Sequence, residues 1–305
     1  LKRLSWALLI LLFLCWPLYQ ALDYIKAQPF ATALDLVNFT VSIFTYNWLM
    51  LNILLSLKVP VFQRVLPYDV RVQAHILSSV GIAAFVLFHG LYYGLFLKKQ
   101  ITTVTWLLIF LVPHMLILAV LWIPVPGFRK LRDALYARRS FHLIRSYDAF
   151  KILHRVLFLA LAILTYLHIW DAEIVGVASP ASLFGFQALF FFTMAMVLIA
   201  LIHWATQPRL RVIQASKRGR VTELSLEPSR RLRYRSGQFA FVSLNLPGFR
   251  LEEHPFSFTS AESEKLVSFA VKDIGDFSAK VAALKPGDLV RVNGGFGHFL
   301  PHGIL

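Results

Sequence analysis

The stretch from His75 to His89, HILSSVGIAAFVLFH, opens and closes on a histidine within an apolar segment. The stretch from His154 to His168, HRVLFLALAILTYLH, repeats the same spacing of fourteen residues. At about 1.5 Å and 100° per residue, fourteen helical steps advance about 21 Å and fall about 40° short of four turns. Each pair therefore lies on one face of its helix, with one imidazole near each side of a bilayer. Two such helices side by side offer two stacked pairs of imidazoles. That arrangement holds two b-type haems, one above the other, with a histidine on both sides of each iron. A lone histidine in a membrane helix is ordinarily hydrogen-bonded to a neighbouring helix and binds nothing. The repetition of one long spacing on two helices is what favours ligation.

The surroundings agree with a membrane setting. Of 305 residues, 57% are hydrophobic and 15% charged, whereas soluble domains carry about 25% charged residues. Six stretches are long and apolar enough to span: about 4–22, 34–57, 74–97, 104–123, 150–170 and 183–205. The first follows Lys2 and Arg3 and imitates a signal peptide, but no small-residue cleavage site follows, so it reads as a retained helix. Leu1 is not methionine, so the chain is expected to be part of a longer product. The net charge of +15 lies mostly beside the hydrophobic stretches, which argues for membrane orientation and against nucleic acid as a partner. Basic residues crowd alternate connectors: Lys58, Arg64 and Arg71, then Arg129, Lys130, Arg132, Arg138, Arg139 and Arg145, then Arg209 and Arg211. The positive-inside rule then puts both termini in the cytoplasm of a bacterial inner or plasma membrane protein. Spans three and five run the same way, so His75 and His154 share the inner level and His89 and His168 the outer one.

Ser78, Ser79, Gly81, Ala83 and Ala84 lie between the histidines of span three. They would let a porphyrin approach the backbone and equally suit helix packing. His114 and His203 have no partner fourteen residues away and read as structural. The single cysteine, Cys15, excludes an intrachain disulfide and a four-cysteine iron–sulfur cluster within the chain.

After Gln207 the texture changes. Period-two runs at about 209–216, 221–227, 238–246, 266–272 and 289–293 are punctuated by glycine and proline, predicting a small antiparallel β-barrel. The domains are therefore 1–207, a six-helix membrane bundle, and 208–305, the barrel. Three stretches of the barrel carry chemistry: Tyr234 to Phe239 (YRSGQF), His254 to Ser260 (HPFSFTS) and Lys272 to Ser278 (KDIGDFS), the last leading into a helix expected to reach Leu284. A helix start led by Gly275 and Ser278 offers backbone N–H groups and a positive dipole end to a pyrophosphate.

Together these stretches resemble the flavin-binding barrel of the ferredoxin-reductase superfamily. The His-Pro-Phe-Ser form resembles its membrane branch, the NADPH oxidases and ferric reductases. That family joins a six-helix domain with two b haems to a cytoplasmic FAD barrel and then a nucleotide-binding domain. The resemblance implies that His254 stands near the FAD phosphates, where soluble relatives have an arginine. It implies that Pro255, Phe256, Ser257 and Thr259 line the flavin, with Phe256 against the ring and Ser257 near N5. Lys272, Gly275 and Ser278 fall to the FAD pyrophosphate turn. Gly294-Gly295-Phe296-Gly297 matches a loop usually written Gly-Pro-x-Gly, with Gly295 replacing proline. An NAD(P)H-binding domain is expected after residue 305.

The implied activity is an oxidoreductase passing electrons from cytoplasmic NAD(P)H through FAD, the inner haem at His75/His154 and the outer haem at His89/His168 to an acceptor outside. Arg71, Lys151 and Arg155 are candidates for the inner haem propionates, and equally for positive-inside anchoring. With both axial positions filled, transfer to the acceptor is outer-sphere, which suits oxygen giving superoxide and also a ferric chelate. The motif form favours oxygen. Tyr93, standing where animal oxidases have a histidine, and the absence of arginine from span two lean the other way. A dihaem cytochrome b exchanging electrons with quinone would not need the fused flavin barrel.

Overall fold

The computed structural model describes residues 2–27, 32–96, 102–121, 126–136, 147–171, 179–229, 232–246, 249 and 252–297. The chain divides into two compact units: Leu1–Ser5, Lys58–Arg71 and Leu198–Leu305 form one, and Trp6–Leu57 with Val72–Val197 the other. The 58–71 segment and the end of the last long helix group with the sheet.

The helices are α1 (Lys2–Ile10), α2 (Trp16–Ala27), α3 (Ala33–Ser56), α4 (Pro60–Val65), α5 (Tyr68–Phe96), α6 (Thr103–Leu121), α7 (Pro126–Tyr136), α8 (Tyr147–Asp171) and α9 (Pro180–Ala205), with a π-helical turn, Leu11–Cys15, joining α1 to α2. Among the described residues, five stretches are long and apolar enough to cross a membrane: Leu4–Lys26, Ala33–Ser56, Tyr68–Gly94, Ala149–Trp170 and Pro180–Ala205. The stretch expected as a further span forms α6, whose apolar part, Thr103–Ile117, is shorter and contains Pro113. Proline removes a helical N–H, and the neighbouring His114 bonds Phe110 O of its own helix at 2.7 Å. The basic connector after α6 contains the amphipathic helix α7, which was expected only as a connector. Arg138, Arg139 and Arg145 of that connector lie outside the described residues.

Within the helical unit α3 is the most covered span: 44% of its window is buried, against 17% for the spans of α5 and α8. It starts with a capping box, in which Thr32 Oγ1 accepts from the Asp35 N–H at 3.1 Å and Asp35 Oδ2 accepts from the Thr32 N–H at 2.9 Å. Apolar contacts of Ile43, Tyr46, Leu49, Met50 and Ile53 build its core, and the Tyr46 hydroxyl donates to Phe186 O at 2.7 Å. A Cβ at Gly81 would strike the Trp48 ring, so this glycine makes room on α5 for the indole carried by α3.

The sheet unit holds β1 (Arg209–Arg218), β2 (Val221–Pro228), β3 (Phe239–Leu244), β4 (His254–Ser257), β5 (Val267–Lys272), helix α10 (Asp276–Ala282) and β6 (Leu289–Phe296). Strand order is β4-β3-β6-β1-β2-β5, with antiparallel pairing throughout. The expected barrel is not closed: between the edges, Phe258 and Phe269 form an isolated bridge rather than a ladder. The strand the pattern missed is β4. It has four residues and contains Pro255, a residue sheets confine to edges because it lacks a ladder donor. Inward side chains alternate along the strands, with Leu210, Val212, Leu224, Leu226, Val290 and Val292 at the centre of the core. The segment 58–71 packs on this unit. Lys58 bonds Glu253 at 2.7 Å and lies 3.4 Å over the Phe241 ring, and Tyr68 is ringed by Phe239, Phe241 and Phe296.

Candidate functional site

Two of the four histidines meet directly. The rings of His89, near the end of α5, and His168, near the end of α8, have centroids 6.3 Å apart and planes inclined by 73°. Two axial imidazoles on one metal, with bonds of about 2 Å and roughly 1.2 Å more from nitrogen to ring centre, have centroids roughly 6.4 Å apart. The centroid separation of the outer pair matches that spacing. The comparatively uncovered apolar surfaces of α5 and α8 suit lipid or a flat apolar macrocycle.

Three of the four imidazoles are also held at the nitrogen a metal would not use. His89 Nδ1 donates to Asn38 Oδ1 at 2.9 Å. His75 Nδ1 donates to the backbone oxygen of Asn52 at 3.3 Å. His168 Nδ1 lies 3.2 Å from Thr105 Oγ1. Metal-binding histidines ordinarily hold their other ring nitrogen in such a bond. His154 packs between Phe150 and Phe158, at 5.5 and 4.5 Å between ring centres. Asn38 and Asn52 escaped the sequence reading although they carry the same signal: they too are fourteen residues apart, on α3.

The cations expected near the inner level differ in their surroundings. Arg71 is fully buried in the sheet unit, where its Nε donates to Leu66 O at 3.1 Å and its Nη2 to Gln63 Oε1 at 3.3 Å. Lys151 is half-buried and Arg155 exposed. His203 Nε2 lies 3.3 Å from Asn293 Oδ1. Tyr93 stands 5.9 Å from His89 between ring centres.

In the sheet unit the expected flavin-binding stretches converge. Strand β4 pairs with β3, setting His254 opposite Val242 and Phe256 opposite Ala240. The His254 ring lies 4.0 Å from that of Phe277 in α10, and Phe256 lies 6.1 Å from Phe277, nearly parallel. The strand carrying His-Pro-Phe-Ser and the turn carrying Gly275 and Ser278 are thus neighbours. Pro255, Ser257 and Thr259 are exposed beside them, as is Lys272 at the end of β5. His254 Nε2 stands 3.4 Å from Glu252 Oε2.

The turn at Gly275 is more self-contained than the sequence suggested. Ser278 Oγ accepts from the N–H groups of Ile274 and Gly275 at 3.0 and 2.9 Å and donates to Gly275 O at 2.8 Å. Groups expected to face a phosphate are used to start α10, which ends at Ala282. Nearby, Lys217 Nζ bonds Asp273 at 2.8 Å. That hydrogen bond, and then the charge behind it, hold the Asp273 carboxyl below the usual carboxylate range.

The first and last motifs are joined by a residue that had no assigned role. Gln238 accepts from the Arg235 N–H at 2.9 Å and donates to Gly295 O and Gly297 O at 3.0 and 3.1 Å. Gly295 and Gly297 have φ of +92° and +86°, the left-handed region where glycine is unstrained. Proline, with φ fixed near −65°, could not replace Gly295 in this backbone. Tyr234 stacks on Phe258 at 3.9 Å and its hydroxyl bonds Ser260 and Ala261.

Residues 209–286 match the family described as FAD-binding domain. The match places an FAD-binding domain after the apolar helical region. An apolar helical region followed by an FAD-binding domain is the order that the resemblance to the NADPH oxidases and ferric reductases led one to expect. No curated protein matches the chain. Among solved structures it is similar to a ferredoxin-NADP+ reductase from Plasmodium falciparum, at 17% identity and TM-score 0.28 over 32% of this chain and 43% of that one. A ferredoxin NADP+ reductase from Neisseria gonorrhoeae with bound FAD and NADP aligns at 19% identity and TM-score 0.28 over 30% and 39%. A flavohemoglobin from Malassezia yamatoensis with bound FAD and heme aligns at 14% identity and TM-score 0.34 over 92% and 64%. The chain spans less than half the length of these reductases.

Proposed function

We propose that this protein is a transmembrane flavocytochrome b, moving electrons from cytoplasmic NAD(P)H to an acceptor on the far side of the membrane. The observation that carries the reading is the outer imidazole pair, His89 and His168 at 6.3 Å, in a chain that also carries an FAD-binding domain. When bound, FAD accepts a hydride and releases electrons singly, and two haems relay single electrons. The chain's residues supply the rest. His75 with His154 and His89 with His168 would hold the two haems at two levels of a six-span bundle with both termini in the cytoplasm. Phe256 supports the flavin ring, Ser257 offers a hydroxyl beside N5, and His254 with the Gly275 turn meets the phosphates. Arg71, Lys151 and Arg155 supply positive charge towards the inner propionates.

With both histidines of each pair engaged, the haems would pass electrons to an acceptor that does not bind the metal. The form of the His-Pro-Phe motif favours oxygen, giving superoxide. Tyr93 beside His89 favours the second reading, ferric-chelate reduction. The test uses the full-length protein in detergent with NADPH or NADH. Superoxide is followed by dismutase-sensitive cytochrome c reduction, and ferrous iron is trapped from a ferric chelate under anaerobic conditions. The expected result is two low-spin b haems per chain and dismutase-sensitive, cyanide-resistant oxygen reduction. Rapid iron reduction without superoxide moves the protein to the ferric reductases. Strong cyanide inhibition indicates an open axial site and overturns bis-histidine ligation.

A further inference from the structure

We infer that Asn38 is a positioning residue for the outer haem, orienting the His89 imidazole and lowering the reduction potential of the metal it would bind; the inference rests on the bis-histidine reading above. Helix α3 runs antiparallel to α5 and meets it at two levels. Asn38, early in α3, reaches His89, late in α5. Asn52, fourteen residues on, reaches His75, fourteen residues earlier. The matched spacings make α3 the supporting helix for both α5 histidines, and Gly81 between them allows the close approach to Trp48.

The two supports are chemically different. Asn52 is fully buried, but its side-chain amide donates to Ser78 Oγ, Ser79 Oγ and His75 O at 2.9, 3.0 and 3.2 Å. His75 Nδ1 is held instead by the Asn52 backbone oxygen, which no substitution of the side chain removes. Asn38 is 3% exposed and holds His89 with its side-chain oxygen. A buried amide in an apolar span is costly unless hydrogen-bonded, and the bond to His89 meets that need. The same bond fixes the proton on Nδ1, leaves the lone pair on Nε2 and sets the ring plane. Drawing the Nδ1 proton towards an acceptor makes the imidazole a stronger donor, which favours the ferric state and lowers the potential. On α5, the outer level is therefore tuned by a replaceable side chain and the inner level by the main chain.

The experiment compares wild type, Asn38→Leu and Asn38→Asp in the full-length protein by haem content, redox titration of each haem, and low-spin electron paramagnetic resonance. Asn38→Leu has similar volume and no acceptor. It should keep two haems and raise the outer haem's midpoint by about a tenfold change in its redox equilibrium, about 59 mV for one electron, with altered outer-haem g-values and an unmoved inner haem. Asn38→Asp keeps an acceptor oxygen and should leave the outer potential at or below that of wild type. Loss of the outer haem in Asn38→Leu with retention in Asn38→Asp supports the same role. Unchanged potentials in Asn38→Leu, equal shifts of both haems, or loss of haem from both variants would overturn it and leave Asn38 as packing. Wild-type protein without haem would instead sink the bis-histidine reading itself, a result visible before any variant is made.

Discussion

In the helical unit the residues expected to work together lie at one interval along single helices, and His89 and His168 approach each other across a helix pair. In the sheet unit they are dispersed from Tyr234 to Gly297 and meet only through pairing, turns and a bridging glutamine. Helical groups fourteen residues apart share a face whatever surrounds them. Strand groups share a face by alternation, but which strand lies beside which is decided by non-local pairing. The helical site is therefore tolerant of its flanks and intolerant at single ligands. The sheet site depends on close approaches of backbone far from the groups it presents.

The sharpest way to break this comparison is to remove one ligand. His168→Leu should abolish the outer haem, leaving about half the haem per chain, and cut transmembrane electron transfer by more than about a hundredfold, in line with the loss of a metal ligand's support. FAD content and hydride uptake should persist. Pyridine haemochrome and anaerobic stopped-flow absorbance read both. Two retained haems at full activity would remove His168 from the site.

A smaller effect is expected from a backbone approach in the sheet. A Cβ at Gly294 would meet Ala240 Cβ and Phe258 Cζ, each at 2.8 Å. Gly294→Val should destabilise the flavin domain by about 1–3 kcal/mol through overpacking, with weakened FAD retention and unchanged haem. Denaturant titration followed by flavin fluorescence checks it, and an unaltered midpoint would show that the two contacts yield freely.

The smallest effect belongs to the exposed ion pair of Lys217 and Asp273. The depressed carboxyl contributes stability above its unfolded pKa, and that contribution is lost as pH falls through the folded value. Asp273→Asn should therefore be slightly less stable than wild type at neutral pH, with the gap closing below the usual carboxylate range and in high salt. A gap that persists at acid pH would assign the effect to something other than charge.

The sequence by itself determined five of the apolar spans and the succession of helical region and flavin domain, because hydropathy and the 3.6-residue period are local properties. It also contained the fourteen-residue spacing of Asn38 and Asn52, but buried asparagines fit any helix contact. Only the tertiary structure decided that α3 is the neighbour of α5 and so supports its histidines. Folding likewise decided that Gln238 joins two glycine-containing turns, that Ser278 closes its own turn, that β4 is an edge strand and that the sheet stays open. Each of these is an outcome of which surfaces met, and side-chain periodicity along one segment carries no record of the segment it will pack against.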